Sequence, residues 1–247
     1  MPRSRPVRAK TVLITGAARR IGRALALDLA AHGWSVAVHY RRSEQDALAV
    51  VQEIKALGGQ AAAFQADLAD VQNLAVLVAS VAARLGPATC LINNASEFML
   101  DSAETLNEAT WDAHLDINLK APVFLAQAVV KHLPEEEFGN IINIIDQRVW
   151  KLTPDFFSYT ISKAGLWTAT RTLAQGLAPR VRVNAIGPGP TLRSVHQSDA
   201  DFETEILSTL LKTGPSPEDI AAAVRFILAT PSMTGQMIAL DDGQHLT

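Results

Sequence analysis

Residues 11–22 read Thr-Val-Leu-Ile-Thr-Gly-Ala-Ala-Arg-Arg-Ile-Gly. The apolar run at 11–15 has the length and composition of a buried strand. Gly16 opens a turn, and residues 21–32 place apolar side chains at helical spacing before Gly33 stops them. The same alternation continues outward. Residues 35–39 read as a strand and 44–57 as a helix ended by Gly58-Gly59. Further strands are expected at 60–65, 90–93, 140–145, 181–186 and 236–240, about seven in all, separated by helices. Strands joined through helices require right-handed crossovers, hence a parallel sheet covered on both faces. The expected fold is α/β, a doubly wound parallel sheet in one domain at 10–247, preceded by a basic tail at 1–9. No fixed-period repeat, low-complexity tract or Pro/Gly-rich linker divides it.

Composition agrees. The chain has 247 residues, 48% hydrophobic and 19% charged, enough for one large core, and with 6% aromatics that core must be aliphatic. A formal charge of −3 gives no global electrostatic reason to bind nucleic acid. Cys90 is the one cysteine, which excludes an internal disulfide and suits a reducing compartment. No apolar run approaches the ~20 residues of a membrane-spanning helix. Arg3, Arg5, Arg8 and Lys10 precede too short an apolar stretch for a secretory signal. A soluble cytoplasmic protein with a solvated tail is expected. His114, His132, His196 and His245 are scattered without metal-ligand spacing, so no metal site is expected.

Gly16, Arg19, Arg20, Ile21 and Gly22 lie between the first strand and the first helix. There glycine lets the chain turn sharply and a pyrophosphate approach, and helix N–H groups meet its charge. The loop lacks the strict GxGxxG pattern, and a purely structural turn is the alternative. After the second strand come Arg41, Arg42 and Ser43, where NAD-binding folds place an acid for the ribose 2′-hydroxyl. Guanidinium forks suit a phosphate, which points to NADP(H), with a solvated basic corner as the other reading. Tyr159, one of two tyrosines, is four residues before Lys163 and so shares its helix face. A phenol with a pKa of ~10 is a poor acid at neutral pH, and a nearby ammonium lowers that value.

With Asp67-Leu68, Asn93-Asn94-Ala95, Asn118 and Pro188-Gly189 in this order, these motifs make the chain resemble the short-chain dehydrogenase/reductase superfamily from Lys10 to the C-terminus. The resemblance implies one Rossmann-type domain, hydride transfer with a nicotinamide cofactor, and usually a homotetramer. It implies that Tyr159 is the acid and that Lys163 touches both the tyrosine and the nicotinamide ribose. Asn118 would hold a water chain behind Lys163, or cap a helix. Asp67, with Leu68, would meet the adenine, or cap a helix. Asn94 and Ala95 would lie beside the cofactor, or simply form a tight turn, and Pro188 and Gly189 would also be cofactor-adjacent.

Two departures narrow the resemblance. Arg20 replaces the middle glycine of the common TGxxxGIG loop, and Asp146 stands where most members carry serine. Both occur together in pteridine reductases and the related dihydromonapterin reductases, which also resemble the chain at residues 39–43 and 93–98. There Ser96 would contact cofactor phosphate and pterin, Phe98 would sandwich the pterin against nicotinamide, and Arg20 would sit near pyrophosphate and substrate. An ionised aspartate would repel the alkoxide formed in ketone reduction. The ring nitrogen of a pterin C=N bond must instead collect a proton. Burial raises the Asp146 pKa and Lys163 lowers it, which leaves its protonation open.

The implied activity is NADPH-dependent reduction of a dihydropterin (dihydromonapterin, dihydrobiopterin or dihydrofolate), with Asp146, Tyr159 and Lys163 delivering the proton. An NADPH-dependent ketone reductase and a non-catalytic NADPH-binding regulator are the alternatives. Residues 188–212 read as a flap over a pocket or a surface excursion, and substrate choice is expected to rest on 190–212 and the C-terminal tail. In related tetramers that tail approaches a neighbouring site, so Gln244 or His245 is a candidate to reach a partner's substrate. Trp150, Phe156 and Phe157 are candidates for the pocket wall or for packing.

Overall fold

Successive residues of the first strand go to opposite faces of a sheet, and each face has its own core. Val12 and Ile14 pack with Leu25, Val50 and Val224, whereas Leu13 packs with Val78, Leu125 and Val183. The computed structural model describes residues 10–194 and 197–247; the basic tail at 1–9 and His196 lie outside the described residues. The strands are β1 (Thr11–Ile14), β2 (Ser35–Tyr40), β3 (Ala61–Gln65), β4 (Cys90–Asn93), β5 (Gly139–Ile144), β6 (Val181–Pro188) and β7 (Met237–Leu240). All pair in parallel, in the order β3-β2-β1-β4-β5-β6-β7. This is the expected doubly wound sheet, with each strand within two residues of its expected bounds.

Helices α1 (Arg20–Ala31), α2 (Glu44–Ala56), α3 (Val71–Leu85), α4 (Glu108–Leu115), α5 (Ala121–His132), α6 (Phe157–Leu177), α7 (Asp199–Leu207) and α8 (Pro217–Ala229) cover it. Helices α1, α2 and α8 pack on one face, α3, α5 and α6 on the other. α8 starts on a capping box of Ser216 and Asp219 with Pro217 in its first turn. A second capping box, Ser198 and Asp201, starts α7 inside the segment that the sequence left without structure. α4 runs into α5 through a π-helical turn, Asp116–Lys120, which carries Asn118. The strand order reverses at β1 and β4, and a crevice opens at their carboxyl ends, the position where open α/β sheets bind ligands. Among the described residues, no helix is long and apolar enough to cross a membrane.

Candidate active site

The turn after β1 is held from three sides. Gly16 has φ +63°, and a Cβ on Gly22 would lie 2.2 Å from the Gly16 carbonyl oxygen, so neither position accepts a side chain. Thr15 Oγ1 accepts the N–H groups of Asn94 (2.9 Å) and Ala95 (3.0 Å), and Asn94 Nδ2 donates back to the Thr15 and Gly16 carbonyls. The Gly16 N–H donates to His39 Nδ1 at 3.1 Å, which requires the Nε2–H tautomer, and that nitrogen donates to Ala66 O at 3.1 Å. Burial holds the His39 pKa down at about 4, against the opposing pull of the Ala66 carbonyl and Asp67, so the ring is neutral. α1 starts without a side-chain cap, and residues 19–22, which carry its free N–H groups, line a cavity of about 690 Å³. Arg20 has φ +54°, an arginine in the left-handed region that glycine fills more readily. Its guanidinium donates to the carbonyls of Leu192 (2.9 Å) and Arg193 (2.8 Å), tying the turn to the segment after β6.

The adenine-side candidates stand outside that cavity's lining. Arg41 pairs with Glu97 at 3.1 Å, Arg42 is exposed, and Ser43 precedes α2 without a side-chain capping bond. Arg19 lines the cavity and pairs with Asp46 at 2.5 Å. Asp67 Oδ1 accepts the Ala69 N–H at 3.1 Å in a tight turn; the cap of α3 is Asp70, not Asp67. The Leu68 side chain is buried in the core.

At the other end of the cavity, Tyr159 donates its hydroxyl proton to Asp146 Oδ2 at 2.9 Å, and Asp146 Oδ1 accepts the Arg148 N–H at 2.8 Å. Lys163 is 2% exposed; its Nζ donates to Ile144 O at 3.0 Å and lies 5.6 Å from the Tyr159 ring centre. Burial raises the Asp146 pKa, against the Arg148 N–H and charge, the Tyr159 hydroxyl and Lys163. Burial lowers Lys163 to about 8, with Asp146 opposing. From the sequence, the ammonium is expected to lower the phenol pKa. Instead Tyr159 is pushed well above its ordinary value, first by burial and then by the Asp146 charge, because a phenolate beside a carboxylate is doubly unfavourable.

Phe98 lines the cavity with one face stacked on Phe156 (4.3 Å, 9° between planes) and a T-shaped contact to Tyr159 at 4.7 Å. Phe156, Phe157 and Trp150 stay out of the lining, so Phe156 supports Phe98 from behind. Asn118 caps nothing: its Oδ1 accepts from Glu97 N and Ser96 Oγ, and its Nδ2 donates to Glu97 O and Ser162 Oγ. All four hydrogen-bonding positions of the amide are thereby filled. Pro188 and Gly189 line the cavity, and a Cβ on Gly189 would lie 2.7 Å from Asp241 Cα.

Several site residues escaped the sequence reading. His39 ends an apolar run, and a polar residue that deep in a buried strand was its only signal. Ser158 donates to Asp101 and accepts from His114 Nδ1 at 2.6 Å, while His114 Nε2 accepts the Met99 N–H at 3.0 Å. This buried chain ties the loop bearing Phe98 to the helix bearing Tyr159. Arg148 stacks over Phe156 at 5.1 Å. Pro190, Thr191, Leu192, Ser194, Gln197, Phe202 and Glu205 line the cavity, a wall rather than a surface excursion, and Gln244 lines this chain's own cavity. His245 turns instead to Asp241 (2.6 Å) and to Trp150.

A parallel sheet with an uncapped glycine-turn helix at its switch point, sharing one cavity with a tyrosine–lysine pair, defines a dinucleotide-dependent oxidoreductase. The short chain dehydrogenase family matches residues 10–203, and the chain belongs to that family. It is 34% identical over 242 residues to the 3-oxoacyl-[acyl-carrier-protein] reductase FabG of Staphylococcus epidermidis, covering 96% of this chain and 99% of that one. Among solved structures it is similar to FolM alternative dihydrofolate reductase 1 from Brucella canis, complexed with NADP (50% identity, TM-score 0.92, 98% of this chain and 97% of that one). It is also similar to a blue fluorescent protein from a metagenomic library in complex with NADPH (31% identity, TM-score 0.89, 95% and 97% covered). The FolM structures fit the pteridine reductase-like subgroup.

Proposed function

We propose that the protein is an NADPH-dependent reductase of a pterin C=N bond. The observation that carries this reading is the Tyr159 hydroxyl bonded to a carboxylate, Asp146, in a cavity that also holds Phe98. The residues present fit the cofactor: an uncapped helix start, a turn that excludes side chains, Arg19 in the cavity lining, and Arg41 and Arg42 in the loop after β2. NADPH, when bound, supplies the hydride. Gly16, Arg19, Arg20, Ile21, Gly22, Asn94, Ala95, Pro188 and Gly189 form the bed for its pyrophosphate and nicotinamide half. Arg41, Arg42 and Ser43 take the 2′-phosphate, and Asp67 and the Leu68 main chain bound the adenine.

The chain's own chemistry is proton delivery. Tyr159 and Asp146 share a proton beside the ring nitrogen that gains one as its neighbouring carbon gains hydride. Lys163 keeps positive charge next to that pair and orients the nicotinamide ribose. Asn118 fixes the Ser96–Glu97 turn, so that Ser96 and Phe98 present a hydroxyl and a ring face to substrate. Arg20 reaches cofactor and substrate from the glycine turn. We place the enzyme in the cytoplasm as a homotetramer, with residues 10–247 as its catalytic domain and 1–9 as an appended tail.

A second reading, reduction of a 3-oxoacyl thioester or other ketone, draws on the kinship with FabG. The carboxylate left when Asp146 gives up a proton would repel the developing alkoxide, which weighs against it. The experiment is oxidation of NADPH, and of NADH, with dihydropterins, dihydrofolate and acetoacetyl thioesters. Pterin-dependent oxidation preferring NADPH is expected. Turnover of ketones alone overturns the pterin, and tight NADPH binding with no turnover points to a regulator.

A further inference from the structure

Another part of the cavity lining carries a carboxylate that, among the described residues, has no cationic partner. Glu205, on α7, lines the cavity together with Gln197 and Gln244. Gln197 Nε2 donates to Glu205 Oε2 at 2.9 Å, and Gln244 Nε2 donates to Oε1 at 3.2 Å. The two amides come from chain segments 47 residues apart (244 − 197) and hold one carboxylate from both sides. Among the described residues no lysine or arginine forms an ion pair with it. The cations that line the same cavity are engaged elsewhere: Arg19 with Asp46, Arg20 with the Leu192 and Arg193 carbonyls, Lys163 with the Ile144 carbonyl, and Arg148 over Phe156.

We propose that Glu205, set by Gln197 and Gln244, is the specificity-determining group for the substituent carried by the substrate ring. It selects a neutral, hydroxyl-bearing side chain and disfavours one that ends in carboxylates. This rests on the pterin reading above and deepens it. Tyr159 and Asp146 fix where the ring is reduced, so what projects from the ring meets the remaining wall. A carboxylate offers about four lone-pair sites, and the two glutamines fill two. The others accept O–H donors in charge-assisted bonds. An anionic tail instead meets like charge at this half-buried carboxylate, which salt can screen. Nothing is transferred at this wall; it acts on binding, so its effect belongs in KM.

The test is steady-state kinetics with saturating NADPH, using dihydrobiopterin (neutral dihydroxypropyl chain) and dihydrofolate (glutamate-ended chain). Wild type, Glu205→Gln and Glu205→Lys are compared, with NADPH affinity measured to establish that each variant is folded. Wild type is expected to favour dihydrobiopterin in kcat/KM by about 10-fold or more, the scale of one charge-assisted hydrogen bond. That ratio falls about 10-fold in Glu205→Gln and further in Glu205→Lys, through KM. Added salt reduces the wild-type ratio, which a purely steric preference would not show. A ratio unmoved by both substitutions overturns the proposal while the pterin reading stands. Wild type that turns over neither pterin overturns both.

Discussion

The Tyr159 hydroxyl points its proton at Asp146 Oδ2, 2.9 Å away, and the same carboxylate is anchored through Oδ1 by the Arg148 N–H. The tyrosine is therefore a donor whose proton has a defined acceptor. With Asp146 protonated, as its burial favours, Tyr159 can give its proton away and take the carboxyl proton in return, which leaves a carboxylate and no phenolate. Removing the carboxylate separates this arrangement from an ordinary tyrosine acid. Asp146→Ala should lower kcat on a dihydropterin by about 100-fold or more, the span of general acid–base catalysis. NADPH affinity should hold. Undiminished turnover in a stopped-flow or steady-state assay removes Asp146 from the chemistry.

Lys163 sets the alkaline limit. Burial brings its pKa from the ordinary 10.5 to about 8, so the ammonium is present below that pH and lost above it. kcat/KM should be level near neutrality and fall about tenfold per unit once pH exceeds about 8. Lys163→Arg, whose charge persists, should move that limb upward even if the plateau drops. A flat profile from pH 7 to 10 in wild type contradicts the assignment.

Cofactor choice should respond to the corner after β2. Arg41 is half-engaged by Glu97, whereas Arg42 is free to face solvent or a phosphate. Replacing both with alanine should cost about 10–100-fold in kcat/KM for NADPH, as expected for charged hydrogen bonds, and little for NADH. Equal losses with the two cofactors would mean that the arginines support the fold rather than read the 2′-phosphate.

His39 couples stability to acid. Its folded pKa, about 4, lies below the ordinary 6.5, so the unfolded chain binds the proton more readily. The stability it contributes is fully present above pH 6.5 and is lost as pH falls through about 4. The shift corresponds to roughly 3 kcal/mol. His39→Gln should flatten the decline in Tm between pH 6.5 and 4 relative to wild type. It should also weaken NADPH binding, because Gly16 loses its shaped acceptor.

Most of this architecture was legible in residues 11–22 and in the strand spacing, because buried parallel strands are apolar runs that glycine punctuates. Asp146, Tyr159 and Lys163 were legible as motif positions, and they do meet around one cavity. What escaped was long-range. No local pattern shows that His39 accepts from Gly16, that Ser158 links Asp101 to His114, or that Gln244 meets Glu205. Those contacts depend on how separate segments stack. The effect of Asp146 on Tyr159 was likewise hidden, because its sign depends on burial. α7 was missed although Ser198 and Asp201 form its capping box, since its short, acidic sequence buries no face.

Arg20 bonds two carbonyls that lie 172 and 173 positions further along the chain, from a turn that the cofactor pyrophosphate is proposed to meet. On the proposed function, cofactor seat and substrate wall share this side chain, and their occupancies should then be coupled. Whatever factor the nucleotide adds to pterin affinity through that guanidinium, the pterin must return to the nucleotide. An arginine held at φ +54°, at a local cost of about 1 kcal/mol, is the tie between the glycine turn and the segment after β6 that would carry this coupling. Glycine at the same position would relax the turn and leave each ligand to bind alone.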